Sequence, residues 1–457
     1  MTGKVIGGKG VFETLMSAFS TICLRLIVIV LLGFFLHACA APPKMRLSRA
    51  EPARPERAIE QHAFPAAKGD QVMGRLAVVR VQDGDALPDI ARHFGLGHES
   101  INAANPDVDV WAPGNGSRVL LPLMFVLPDA PRQGIVINLA SMRLFHYGGK
   151  NRPVLTYPVG IGEEGRSTPM GAMFVERKTV RPTWYVPASI RRDHAQRGDP
   201  LPAEVPPGPD NPLGEYALYL SRTSYVIHGT NKPYSIGLRA TNGCIRLYPE
   251  DVEKLYRAVP VKTSVYVVNQ PYLVGRAGGM LYLEAHAPQE ELNAADVKKK
   301  LYARLKDIEK KEALRLDWNR VEETVTQARG IPVPILEGGG GREGMIANAV
   351  EVQRPARLTG QPRVPPFKAG AWYVRADETI GEVNARRLAA VLNHQGPQIP
   401  ARVVQKGDRY QVLAGPYSKK RAAEEAARRI KSDLEIEVVI LGPAQSRDLA
   451  QQAASRQ

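Results

Sequence analysis

Reactive chemistry in this chain begins with one thiol. The 457-residue sequence holds three cysteines. Cys23 and Cys39 belong to an apolar N-terminal region, which leaves Cys244 alone in the rest of the chain. A free cysteine is often only a small buried apolar residue, so its neighbours decide. A reactive thiol needs a nearby base to become a thiolate near neutral pH, and histidine is the natural choice. His228 stands sixteen residues upstream, in the segment YVIHGTNKPYSIGLRATNGCIRL that runs from Tyr225 to Leu247. The apolar stretch Tyr225–Ile227 reads as a strand that delivers His228 at its end, and Gly229 lets the chain turn sharply there. A histidine and a cysteine on adjacent strand ends can then meet within hydrogen-bond distance. Gly243 allows a carbonyl group to approach the backbone, and the amides around Gly243 and Cys244 form a candidate oxyanion hole. Arg246 is placed to orient the loop or to bind a carboxylate. Among the other histidines, His93, His98, His146, His194, His286 and His394 show no metal-ligand spacing, and no metal is expected. His146, His194 and Trp184 are candidates for lining a cleft, with surface exposure or packing as the plainer reading.

The elements that must hold these residues belong to a long, basic chain. At 457 residues it exceeds one ordinary core and implies two to four domains. The 37 prolines and 41 glycines point to linkers between them. A net charge of +15 suits acidic lipid headgroups, acidic wall polymers or nucleic acid. No nucleic-acid-binding motif supports the last. Lys4, Lys9 and Arg25 flank the apolar run Leu26–Leu36, which is shorter than the roughly 20 residues that span a bilayer and reads as a signal-peptide core. It ends in Leu36-His37-Ala38-Cys39, which resembles a bacterial lipobox with Cys39 as the lipidated residue. An ordinary signal with an incidental cysteine is the other reading. Ala40, rather than Asp, after Cys39 points by analogy to the outer membrane, and Met16 is an alternative start.

Residues 1–38 are thus expected to be a signal peptide and 39–74 a linker. Residues 75–123 read as strand, helix, helix, strand: Leu76–Val81, Leu87–Phe94, Ser100–Ala104 and Arg118–Leu121. This βααβ unit resembles a LysM glycan-binding module, and a purely structural appendage is the alternative. Residues 133–269 are strand-rich, with a hairpin at Ile135–Leu139 and Arg143–Tyr147, a helix at Pro249–Val259 and a late β-branched strand at Ser264–Val268. Residues 270–330 read as a β tail followed by a long amphipathic helix with Val297, Leu301, Leu305 and Ile308 on one stripe. Residues 331–368 read as a Pro/Gly-rich flexible linker. Residues 369–443 repeat strand plus helix in a βαββαβ-like order and resemble a SPOR domain, a module that binds glycan strands stripped of stem peptides. A ferredoxin-like interaction domain is the alternative. Residues 444–457 read as a polar tail.

At HGT…GCIRL the resemblance becomes specific. These residues are similar to the signature of the L,D-transpeptidase (YkuD-like) catalytic domain. Asp210-Asn211-Pro212-Leu213-Gly214, Pro182-Thr183-Trp184 and Gly160-Ile161-Gly162 fit the same family. The resemblance implies Cys244 as nucleophile, His228 as base and the backbone carbonyl of Gly229 as the group orienting the histidine. Gly243, Arg246, Thr241, Asn242, Thr230 and Trp184 complete the candidate site. One departure stands out: Thr241 and Asn242 occupy positions where the family usually has Ser, often followed by His. The implied fold is a mostly-β catalytic domain in a multidomain envelope protein of Gram-negative type, working in the periplasm without a cofactor. The implied reaction cleaves the terminal D-Ala of a peptidoglycan tetrapeptide stem through a Cys thioester. The acyl acceptor is left open between a second diaminopimelate, giving a 3→3 cross-link, and a Lys of an outer-membrane protein. Two rivals stand beside it: a non-catalytic, lipid-anchored wall binder, and a hydrolase in which water replaces the amine.

Overall fold

The structure is a computed structural model that describes residues 56, 58–65, 69–149, 152–196, 198 and 200–454. The apolar N-terminal run and Cys39 lie outside these residues. A nine-stranded sheet carries the candidate site. Its spatial order is Ala63–Phe64, Val154–Pro158, Arg143–Tyr147, Gly134–Asn138, Ser264–Val268, Gly171–Val180, Tyr216–Leu220, Val226–His228 and Ile245–Arg246. The hairpin Gly134–Asn138/Arg143–Tyr147 is covered on both faces. Leu144 packs with the core around Leu218, Ile227 and Leu255, while Phe145 packs with Leu87, Ile90 and Leu121 of the preceding module. Burial on both sides explains why these strands read as continuous apolar runs without alternation. The helix Pro249–Ala258 closes one face with Val252 and Leu255.

Two strand pairs in this sheet are parallel, and the second matters for chemistry. Val226–His228 runs parallel to Ile245–Arg246, with His228 opposite Arg246. Parallel neighbours need a crossover, ordinarily a helix. Here the crossover is the loop between His228 and Cys244. It contains one short 3₁₀ turn, Pro233–Ser235, and a strand, Arg239–Thr241, that pairs with Ile161–Gly162.

The module before the sheet has the order strand Ala77–Arg80, helix Leu87–His93, helix His98–Ala104 and strand Arg118–Leu121. It is fused to the sheet rather than strung from it. Fully buried Arg143 donates to the Gly95 carbonyl at 3.0 Å and to the Thr156 hydroxyl at 3.2 Å, with its guanidinium 4.1 Å over the Phe125 ring. Two stretches read above as linkers also pack here. Ala63–Phe64 adds an edge to the large sheet, and Val72–Gly74 pairs with Met124–Val126. Val350–Glu351 joins Ala77–Arg80 in parallel, and Val352 and Leu358 enter the module's core. Arg354 and Asp85 form an ion pair in which both side chains are almost wholly buried, which a free linker would not sustain. Each strap lends only a few apolar side chains to a core made by other elements, so it shows no period of its own.

After the large sheet, the hairpin Tyr272–Ala277/Met280–Ala285 supports two helices, Ala294–Glu312 and Trp318–Gln327. The sequence suggests a single helix across this stretch. The chain breaks it at Ala313, which caps the first helix with φ +49°, and restarts at Asp317, whose side chain accepts from the Arg320 N–H. The C-terminal unit is a four-stranded antiparallel sheet in the order Ala401–Lys406, Arg409–Tyr417, Trp372–Ile380, Val439–Leu441. Helices Glu382–Asn393 and Lys420–Leu434 cover one face through Ala385, Leu392, Ala427 and Ile430. The other face is covered too. The segment read as a polar tail forms the helix Pro443–Ala454, whose Leu449 packs with Tyr373 and Leu413 and whose buried Ser446 hydroxyl accepts from the Gly370 N–H.

Candidate active site

Cys244 immediately precedes the last strand of the sheet, and His228 ends the strand beside it. The parallel register sets His228 against Arg246; Cys244, two residues before Arg246, comes to the same side of the sheet. The Cys244 thiol is half-buried and donates to the Ser224 carbonyl at 3.7 Å. His228 is 3% exposed, and its Nδ1 faces the Gly229 carbonyl at 2.6 Å. A carbonyl only accepts, so this contact puts the proton on Nδ1 and leaves Nε2 as the basic nitrogen of the neutral ring. The Leu213 and Pro212 backbone also favours the protonated ring, and a Cβ at the adjacent Gly229 would stand 3.4 Å from the Leu213 carbonyl oxygen. Pro212 and Leu213 close the insertion Arg181–Glu215 between Gly171–Val180 and Tyr216–Leu220, so the insertion is rooted on the histidine.

Burial governs the charges. It lowers the His228 pKa to about 3, helped by the neighbouring Arg246 guanidinium and opposed by the backbone carbonyls. It pushes the Cys244 thiol up, against the pull of the Val226 N–H and of Arg246. At neutral pH the pair therefore rests as thiol and neutral imidazole. Arg246 lies between them electrostatically, and burial lowers its own pKa. Its Nη1 donates to the Ala240 carbonyl at 3.1 Å and the Ser235 hydroxyl at 3.4 Å, while its Nε is buried without a partner.

The other sequence candidates divide. Thr241, 2% exposed, is a staple: its hydroxyl donates to the Cys244 carbonyl at 2.7 Å and accepts from the Gly243 N–H at 3.1 Å. The Gly243 amide is therefore already committed and is not a free oxyanion donor. Gly243 serves by conformation instead, with φ +96° and no room for a side chain, since a Cβ there would stand 2.9 Å from the Tyr225 ring. Asn242 is exposed and accepts from Arg166. Thr230 is buried and turned inward, its hydroxyl accepting from the Lys232 N–H at 2.9 Å in a local turn. Trp184 sits on a two-stranded ribbon with Glu204–Val205 inside the insertion, with no bond to Cys244 or His228 among the described residues. His146 is buried on Arg143–Tyr147 and lines a pocket of about 620 Å³ that Cys244, His228 and Trp184 do not line. The Pro212 and Leu213 contacts and the Arg166 contact have no signal in the local sequence, although Asp210–Gly214 was singled out as a segment.

Among the described residues no cluster of His, Cys, Asp or Glu is arranged to hold a metal ion, and no helix is long and apolar enough to cross a membrane.

Known proteins resemble this chain in sequence. Residues 132–267 match the L,D-transpeptidase catalytic domain family, and residues 368–437 match the SPOR domain family. The chain is 39% identical over 279 residues to ErfK/SrfK of Escherichia coli K12, described as a probable L,D-transpeptidase, covering 59% of this chain and 89% of that protein. It is 40% identical over 224 residues to YbiS of the same strain, covering 48% and 73% of the two chains, and 41% identical over 214 residues to YcfS, covering 46% and 67%. Both carry the same description. The chain belongs to the L,D-transpeptidase family, enzymes that act as acyltransferases on peptidoglycan, and it carries a SPOR domain at its C-terminal end.

Proposed function

We propose that Cys244 is the acyl-carrying nucleophile and His228 its base. The observation that carries this is the parallel pairing of Val226–His228 with Ile245–Arg246, which brings the lone thiol of the described residues beside a histidine anchored through Nδ1. In the first step Cys244 Sγ attacks the carbonyl of the third stem residue as its proton passes to His228 Nε2. The proton moves during attack rather than before it, because burial keeps both partners neutral at rest. The C–N bond to the terminal D-Ala then breaks, the D-Ala amine takes the proton from His228, and a thioester remains. In the second step His228 removes a proton from an acceptor amine as it attacks the thioester, and the thiol is regenerated. The Cys244 N–H, next in line after the committed Gly243 amide, is the oxyanion donor in this reading. The unpartnered Nε of Arg246 supports a role in binding a substrate carboxylate. The acceptor is an amine, either a second diaminopimelate or a protein Lys. The signal-like N-terminus supports an outer-membrane lipid anchor at Cys39. The SPOR unit supports periplasmic work on peptidoglycan enriched at the division site, and the βααβ unit fits a LysM-like glycan contact.

The test is mass spectrometry of the full-length chain, purified in detergent and incubated with disaccharide-tetrapeptide. Loss of D-Ala with a 3→3 dimer, both absent in Cys244→Ala and His228→Ala, is the expected result. A thioester adduct or tripeptide without dimer would assign the acceptor to a protein Lys or to water. Wild-type turnover in either variant would refute the assignment.

A further inference from the structure

The loop Glu163–Thr168 forms the wall behind the nucleophile. Its Glu163 N–H donates to the Thr241 carbonyl at 2.9 Å, and a Cβ at Gly243 would stand 3.4 Å from the carbonyls of Arg166 and Ser167. Arg166 in this loop is forked. One guanidinium nitrogen donates to Asn242 Oδ1, beside the Gly243–Cys244 pair, and the other to Asp193 Oδ2; Glu163 lies 3.6 Å away. Asp193 belongs to the helix Ala188–Gln196 of the insertion rooted on His228. That helix buries none of its residues, so apolar packing does not hold it in place. The fork is therefore a tie between a loosely packed helix and the Cys244 loop, and it depends on Asn242.

We propose that Arg166 is a positioning residue that holds the helix Ala188–Gln196 against the Cys244 loop, through one guanidinium shared between Asp193 and Asn242, and so sets substrate access. This rests on the reading of Cys244 as nucleophile. Arginine suits the role because its planar fork reaches two acceptors at once, whereas a lysine ammonium is a single point. Arg166 and Asp193 are each about one-third exposed, at 37% and 33%, so the tie is screened and reversible.

The experiment uses the full-length chain in detergent. Its first readout is kcat and KM for D-Ala release. Its second is the ratio of Cys244 alkylation rates by a bulky fluorescein maleimide and by small iodoacetamide, read at Cys244 by peptide mass spectrometry with Cys244→Ala as blank. Arg166→Ala and Asp193→Asn are expected to raise KM about fivefold, with kcat changed less, and to raise the bulky-to-small ratio similarly, the scale of a single half-exposed charge pair. Arg166→Lys recovers only part. The exchange Arg166→Asp with Asp193→Arg returns both readouts to within about twofold, because the Asn242 amide can donate to an Asp as readily as accept from an Arg. Unchanged KM and ratio in Arg166→Ala overturn the proposal. So does a loss that the exchange fails to recover and that matches a fall in melting temperature. If the wild type releases no D-Ala, the proposed function fails, while the alkylation ratio still decides the role of Arg166.

Discussion

Thr241→Val tests the loop that leads into Cys244 with almost no change in shape. The Thr241 hydroxyl bridges the Gly243 N–H at 3.1 Å and the Cys244 carbonyl at 2.7 Å, and the residue is 2% exposed. Valine replaces that hydroxyl by a methyl group and leaves both backbone groups without their partner. A neutral hydrogen bond contributes about 1 kcal/mol net, and a buried group left unpaired costs about 1–3 kcal/mol. Two such groups give about 2–6 kcal/mol, reduced to about 2–4 kcal/mol where the loop shifts to let water in. If that cost falls on the placement of Cys244, kcat/KM for D-Ala release drops about 30- to 1000-fold. Thr241→Ser keeps the hydroxyl and stays within about threefold. Melting temperature separates loop damage from global loss, since only the latter lowers it in proportion. A Thr241→Val enzyme within about threefold of wild-type kcat/KM would refute the idea that this hydroxyl positions the nucleophile.

Three further outcomes are expected. Because burial raises the Cys244 thiol and lowers His228 to about 3, iodoacetamide alkylation should rise with pH toward a midpoint above the ordinary thiol value of about 8.5. It should show no inflection from His228 between about pH 5.5 and 7, and a His228-dependent step there contradicts the neutral resting pair. Asp251 is buried, with a pKa raised to about 7, facing His62 and Lys254 at 3.5 Å each. Between its unfolded value near 3.9 and about 7, the folded state holds a proton that the unfolded state has lost, so its contribution to stability falls as pH rises. The melting temperature of Asp251→Asn relative to wild type should therefore climb from pH 4 to pH 7, and a flat difference would contradict the raised value. Ala313 caps its helix at φ +49°, so Ala313→Gly should stabilise the protein by about 0.5–1 kcal/mol in denaturant titration, unless the cap is not left-handed in solution.

Much of the site was legible in the sequence because its signals are local. An apolar strand ending at His228, a glycine at the turn and one thiol after Gly243 state a chemistry within twenty-odd residues. The strand-plus-helix repeat of residues 369–443 is visible for the same reason, since periodicity and turn residues are properties of neighbours along the chain. The tertiary structure decided whatever depends on partners far apart in sequence. It committed the Gly243 amide to Thr241 and turned Thr230 inward. It rooted the insertion on His228 through Pro212 and Leu213, and it set Arg166 between Asn242 and Asp193. It also drew the linker-like straps into a core through Arg354 and Asp85, 269 positions apart, and folded the tail over Tyr373. Such contacts leave no period and no spacing in the chain. Each is one polar or apolar side chain whose partner is fixed only once the sheet has brought distant segments to the same edge.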